Sequence, residues 1–186
     1  MIKCESLYLL ALNTLINPEF SLVKNALNLG AITGIFISII QLLLLFLGFG
    51  DSSYLQWIIY ISLILSILWG SRTYRDLACE GYISYSQSLG FGLMLSFGAA
   101  LVFSFFLYIY MKYVDHAYIS EVLNQMEVTM YESEVKESEI EMIMKIYRSY
   151  LTPGAMAVGM VFTYFFIGGL ISLITSIFVK NPKTEF

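Results

Sequence analysis

Four long stretches of this chain carry no Asp, Glu, Lys, Arg or His in their interiors, and nothing else in the sequence limits the fold as strongly. In the first, residues 26–49, only Asn28 and Gln41 interrupt the apolar run. As a helix, a run of that length reaches about 36 Å, enough to cross a hydrocarbon core of about 30 Å with some tilt. Gly48, Gly50 and residues 51–53 then make a turn too short to lead back across a bilayer, so the next run, 54–70, must return antiparallel. It is the shortest of the four. Its Tyr54, Trp57 and Trp69 stand near its ends, where amphipathic rings favour the headgroup level. The third run, 88–113, is rich in Phe and ends in Tyr108, Tyr110 and Tyr113 beside Lys112. Pro153, a residue suited to a first helical turn, opens the fourth, 155–179, which is followed by Lys180 and Lys183.

Composition agrees with a bilayer. Hydrophobic residues make up 58% of the chain and charged ones 13%, and the mean hydropathy is +0.74, all beyond soluble usage. The net charge is −4, with no basic patch interleaved with aromatic residues, so nucleic acid is not an expected partner. Cys4 and Cys79 have no Cys or His nearby at ligand spacing, so no zinc site and no disulfide framework is expected. His116, the single histidine, sits beside Asp115, but a metal or acid–base site there would need further groups from elsewhere. Without a glycine-rich phosphate loop or a nucleophile paired with a base, no catalytic residues, metal or cofactor are expected.

One long stretch, 115–151, belongs to water. Tyr118, Val122, Met126 and Met130 recur every fourth residue, and Ile140, Ile143, Met144, Tyr147 and Leu151 follow the three-four rhythm of one helical face. These periods predict two amphipathic helices with a break at 133–137. Ser138 followed by Glu141 has the form of a capping box at the second start. Eight of the fourteen acidic residues lie here, against Lys136, Lys145 and Arg148. The acidic face reads either as solvated surface or as a surface for a cation or a partner.

The first residues, 1–23, mix a brief apolar cluster with Asn13, Asn17 and Pro18, too short to span. They read as an interfacial or loosely ordered leader rather than a signal peptide, since no small-residue cleavage site follows. Residues 24–182 then form one four-span domain, and 183–186 a short tail. Lys24, Arg72, Arg75, Lys180 and Lys183 fall on one side of the spans, whereas Lys112 and Arg148 are the nearest bases on the other. The richer side is expected to be cytoplasmic, with both termini, and the 115–151 hairpin faces outward.

Two groups of residues stand out. Gly30 and Gly34 in the first span, and Gly168 and Ser172 in the fourth, have the small-x-x-x-small spacing that lets helices approach closely in lipid, within one chain or between copies. The segment 71–87 reads as a polar loop with a turn at Gly81. Its Arg72, Tyr74, Arg75 and Asp76 form a membrane-proximal cluster, in which the arginines either grip a lipid phosphate or simply enforce topology and pair with Asp76 or Glu80.

The opening Lys24-Asn25-Ala26-Leu27-Asn28-Leu29-Gly30 resembles that of the bacterial family called domain of unknown function 4199. So do Tyr74-Arg75-Asp76 with Gly81-Tyr82-Ile83-Ser84-Tyr85 and Gln87, and Ser138-Glu139-Ile140-Glu141 leading to Thr152-Pro153-Gly154. The likeness runs from about residue 21 to 182, with a longer start than the family's usual one. It implies a four-span protein with a hairpin between the third and fourth spans, and it brings no catalytic residues. The fold expected is therefore an all-α membrane protein with four transmembrane helices and an extracytoplasmic amphipathic hairpin between the third and fourth, resident in the bacterial inner membrane. Lacking intramembrane charge, it is not expected to be a coupled carrier. The expected role is a non-enzymatic accessory or scaffold with an unknown membrane or envelope partner or a second copy of itself. The alternative is binding, transport or processing of a membrane lipid phosphate at Arg72 and Arg75.

Overall fold

A computed structural model describes residues 16, 17, 21–47 and 53–182, with side chains in the second helix from residue 57 onward. The expected turn at 48–52 and the tail 183–186 lie outside the described residues, as does most of the leader. The described chain is helical: α1 (Leu22–Phe46), α2 (Ser53–Ala78), α3 (Tyr85–Ile109) continuing as a π-helical turn over Tyr110–Val114, α4 (Tyr118–Glu132), α5 (Glu137–Tyr150) and α6 (Pro153–Val179). Three of these, α1, α3 with its π turn, and α6, are long and apolar enough to cross a membrane. The remaining long helix, α2, has 26 residues, and its last two turns carry Arg72, Arg75 and Asp76.

Two compact units form, one from Met1–Phe103 with Val161–Phe186 and one from Ser104–Met160. In the first, the spacing of small residues dictates how the helices meet. Gly30 and Gly34 of α1 lie directly on the α3 backbone: a Cβ at Gly30 would strike the Leu95 carbonyl, and one at Gly34 would stand 2.7 Å from the Ala99 carbonyl oxygen. Gly98 returns the contact, 2.9 Å from the Leu27 carbonyl oxygen on the same measure. Between α3 and α6 a serine faces a glycine twice, Ser172 against Gly92 and Ser96 against Gly168. Ser172 Oγ also donates to the Leu89 carbonyl at 3.1 Å. Three buried hydroxyls bond back along their own helices, Thr33 to Leu29, Ser38 to Gly34 and Ser96 to Gly92, which satisfies these three without water. Leu29, Leu63, Ile67, Phe91, Leu95 and Val179 fill the core around these contacts. The space left among Ile37, Leu63, Ala100, Phe103 and Tyr164 is only about 10 Å³, so this part of the bundle is filled.

α1 starts where Ser21 accepts from the Lys24 backbone N–H at 3.4 Å. Ahead of it, Ile16 is fully buried. The Asn25 side chain holds the Asn17 backbone at both ends: its Oδ1 accepts from Asn17 N and its Nδ2 donates to Asn17 O, each at 2.9 Å. These two described residues of the leader are therefore fastened to the first unit.

The polar segment after the second apolar run differs from the loop expected at 71–87. Helix α2 continues to Ala78, because the stripe of Ile59, Leu63 and Ile67 continues in helical rhythm through Ser71 to Tyr74, which is buried and stacked on Phe91 with ring centroids 5.0 Å apart. Only residues 79–84 are non-helical. Glu80 (φ 51°) and Gly81 (φ 84°) take the left-handed conformation that reverses the chain, natural for the glycine and uncommon for the glutamate.

In the second unit, α4 and α5 pack on each other across the break at 133–136. Ile140 and Met144 are buried, as are Leu107 and Met111 at the end of α3 and in its π turn. The expected capping box does not form. Helix α5 begins at Glu137, with Lys136 at the cap and no side-chain cap bond, and Ser138 is exposed inside the first turn. Glu137 and Glu139 place two carboxylates against the positive end of the helix instead, which does part of the same electrostatic work. The start of α4 is capped by Asp115, whose Oδ1 accepts from Ala117 N at 3.0 Å and Tyr118 N at 3.1 Å.

Candidate functional site

The cluster singled out in the sequence lies on the last two turns of α2, where the helix is positioned by Tyr74 on Phe91. Its two arginines do different things. Arg75 is half-buried; its Nε and Nη2 donate to Asp76 Oδ1 and Oδ2 at 2.7 and 3.3 Å, and its Nη1 donates to the carbonyl oxygen of Val179 at 3.2 Å. The guanidinium thus neutralises a carboxylate and caps the carbonyl end of α6, where the helix dipole favours a cation. Arg72 is exposed and, among the described residues, has no charged partner.

Around Arg75 the loop and the chain end are strapped together. Ile83 and Asn181 exchange backbone hydrogen bonds at 3.0 and 2.9 Å, and Asn181 Nδ2 donates to the Gly81 carbonyl at 2.8 Å. Tyr85 OH reaches the Leu173 carbonyl at 3.2 Å. Cys79, just after the end of α2, is half-buried; burial pushes its thiol up, and a hydrogen bond with the Tyr74 hydroxyl partly offsets the rise. The arrangement is chemically a clasp: one guanidinium, one amide and one backbone bridge tie α2, the turn and α6. Gly30, Gly34, Gly168 and Ser172 lie apart from it, at the helix crossings described above.

No group of three or more His, Cys, Asp or Glu side chains converges on a metal-sized site among the described residues. His116 is exposed, and its neighbour Asp115 is occupied as a helix cap. At the end of α3, Lys112 sits 5.4 Å from the ring centroids of both Tyr108 and Tyr113 and donates to Tyr108 OH at 3.1 Å.

The scan of protein families matches residues 28–181 to the model described as protein of unknown function, DUF4199. The chain belongs to that family. DUF4199 carries no assigned activity, and neither a curated protein nor a solved structure shows significant similarity to this member. Together with three helices suited to crossing a bilayer, the family match makes the chain a membrane protein of unknown function.

A feature of this DUF4199 member that the periodic reading passes over lies on α5. The residues read from the sequence, Ile140, Ile143, Met144, Tyr147 and Leu151, include the buried pair Ile140 and Met144. A second stripe, Met142, Ile146 and Tyr150, is 67%, 55% and 75% exposed. Its four-residue spacing was the available signal. Beside it an open groove of about 870 Å³ runs between α4 and α5, lined by both helices and crossed by the 2.9 Å ion pair of Arg148 with Glu127.

Proposed function

We propose that this protein is a four-span inner-membrane protein with cytoplasmic termini. In it, the α4–α5 hairpin faces outward and serves as the contact surface of a non-enzymatic accessory or scaffold subunit. The observation that carries the reading is the exposed Met142–Ile146–Tyr150 stripe on a helix whose other face is already used for packing. Three large apolar side chains in a row on a short, otherwise charged helix are costly in water and have no role in the second unit's own core. The engagement of Arg75 by Asp76 and Val179 favours this reading over a lipid-phosphate site, because it leaves Arg72 as a lone guanidinium rather than half of a pair.

The test is in-cell crosslinking followed by gentle detergent extraction of the full chain and of an Ile146→Asp, Tyr150→Asp variant. A specific neighbour, or a second copy, recovered with the native chain and lost with the variant supports the reading. A solitary native chain overturns it. Retained phospholipid that disappears in Arg72→Ala would instead favour the lipid role.

A further inference from the structure

The groove beside the exposed stripe has a charge order that its shape turns into a specification. Its floor includes Ile140 and Met144, and Tyr131 of α4 and Met142 of α5 stand exposed at its walls. Along α5 the lining charges are segregated. Glu137 and Glu141 lie towards the start of the helix, and Lys145 and Arg148 towards its end. Arg148 is paired with Glu127 at 2.9 Å across the groove, which leaves Lys145 as the one uncompensated base in the lining. Glu137 and Glu141 have no ion-pair partner among the described residues, and Glu132, Glu134 and Glu139 extend the acidic field beyond the lining. From Glu137 to Ser149 the groove follows α5 for about 18 Å, three helical turns.

We infer that this groove docks a short amphipathic helix of a partner protein, about three turns long, with lysine or arginine at the end lying over Glu137 and Glu141 and apolar side chains on Tyr131 and Met142. The inference rests on the accessory reading and gives its partner a chemistry. The unpaired carboxylates repel an acidic segment and an anionic lipid surface alike, whereas a basic helix end neutralises them and gains on-rate from the field. Apolar anchors at helical spacing are the usual companions of such charge contacts in helix-in-groove recognition.

The experiment uses the full chain in phosphatidylcholine nanodiscs. The probes are a fluorescein-labelled twelve-residue helical peptide, with leucines on one face and three lysines at one end, and a twin carrying glutamates in place of the lysines. Anisotropy should show saturable binding of the basic peptide, about tenfold weaker for the acidic twin and about fivefold weaker for an E137Q, E141Q variant. Both carboxylates are exposed, and circular dichroism verifies that the variant folds. Equal affinity for the two peptides, an unchanged E137Q, E141Q variant, equal binding to empty nanodiscs, or a groove already closed by a second copy overturns the inference. The two readings separate in cells. A neighbour kept by E137Q, E141Q but lost by Ile146→Asp, Tyr150→Asp leaves the accessory role standing and removes the groove; a neighbour lost by neither removes both.

Discussion

The Arg75 guanidinium lies 3.2 Å from the carbonyl oxygen of Val179, a residue 104 positions further along the chain, and so joins the end of α2 to the end of α6. The same guanidinium is held by Asp76, so its orientation is set before α6 arrives. Replacing it with alanine should remove a charge-assisted cap and leave the Asp76 carboxylate unpaired. Because the side chain is partly exposed, the loss should be about 1 kcal/mol rather than the larger cost of a buried pair. Arg72→Ala should change stability by less than about 0.5 kcal/mol. Thermal unfolding of both variants in the same detergent measures the contrast, and equal melting temperatures would remove the capping role.

Steric contact at the α1–α3 crossing predicts a sharper effect. A methyl group at Gly30 meets the Leu95 carbonyl, which is backbone and has no side-chain freedom to give way. Gly30→Ala should therefore cost about 1–3 kcal/mol by forcing the two helices apart. Gly90, on α3 itself, has nothing within 4 Å of the equivalent position. There the same change should be neutral or stabilise by up to about 1 kcal/mol, since alanine is the better helix former. Opposite melting shifts for two Gly→Ala changes test the packing, not the chemistry of glycine.

Cys79 should be a slow nucleophile. Burial raises its pKa, so at a given pH a smaller fraction is thiolate than for an ordinary cysteine, and the reactive fraction appears only as pH climbs past the usual thiol range. In a Cys4→Ser background, leaving Cys79 as the single thiol, the maleimide rate should still be climbing with pH at about pH 8.5, where an ordinary thiol begins to level off. The Tyr74 hydroxyl stabilises the thiolate, so Tyr74→Phe should shift the profile further upward and slow the reaction. A faster reaction would mean that the hydrogen bond does not act in that direction.

How much of this was legible beforehand depended on which residues had a distinctive signature. The long helices announce themselves by missing charges, and Gly30 and Gly34 stand out by spacing, but which helix they touch is not written in α1. Core-facing and lipid-facing side chains there are equally apolar, as buried Ile37 and exposed Ile35 and Ile39 illustrate. The reach of α2 past Ser71 was hidden because Arg72, Arg75 and Asp76 suggested a loop, while the deciding contact, Tyr74 on Phe91, is tertiary. On α5 the inner face was readable from Ile140 and Met144, but Met142, Ile146 and Tyr150 repeat with an equally helical period. Only burial tells the two stripes apart. The clasp through Val179 and Asn181 left no local trace at all, since backbone carbonyls carry no residue identity.

Asp115 gives a local prediction within the second unit. Its carboxylate accepts from two free N–H groups at the start of α4, which have no carbonyl partner in the helix itself. Asp115→Ala should weaken the first turn of α4 by about 1 kcal/mol, whereas Asp115→Asn, which keeps an acceptor oxygen, should lose much less. Hydrogen exchange at Ala117 and Tyr118 should accelerate about fivefold in the alanine variant only. His116→Ala, changing an exposed neighbour, should leave those rates unchanged.

Topology is the prediction on which the proposed role turns. If α2 spans with the three more apolar helices, the turn at 79–84 and the α4–α5 break at 133–136 fall on opposite sides of the membrane, because α3 crosses between them. Lys24, Arg72, Arg75 and Lys180 then lie on the turn's side, and the bias of bases predicts that this side faces the cytoplasm. Tyr82 and Glu132 are both exposed, so a cysteine at either position reports access rather than burial. In a chain without native cysteines, a membrane-impermeant maleimide added to spheroplasts should label Glu132→Cys at once and Tyr82→Cys only after permeabilisation. The reverse pattern would put the acidic helices in the cytoplasm and exclude an envelope partner. Labelling of both in sealed cells would mean that α3 does not separate them, and the four-span reading would fall with it.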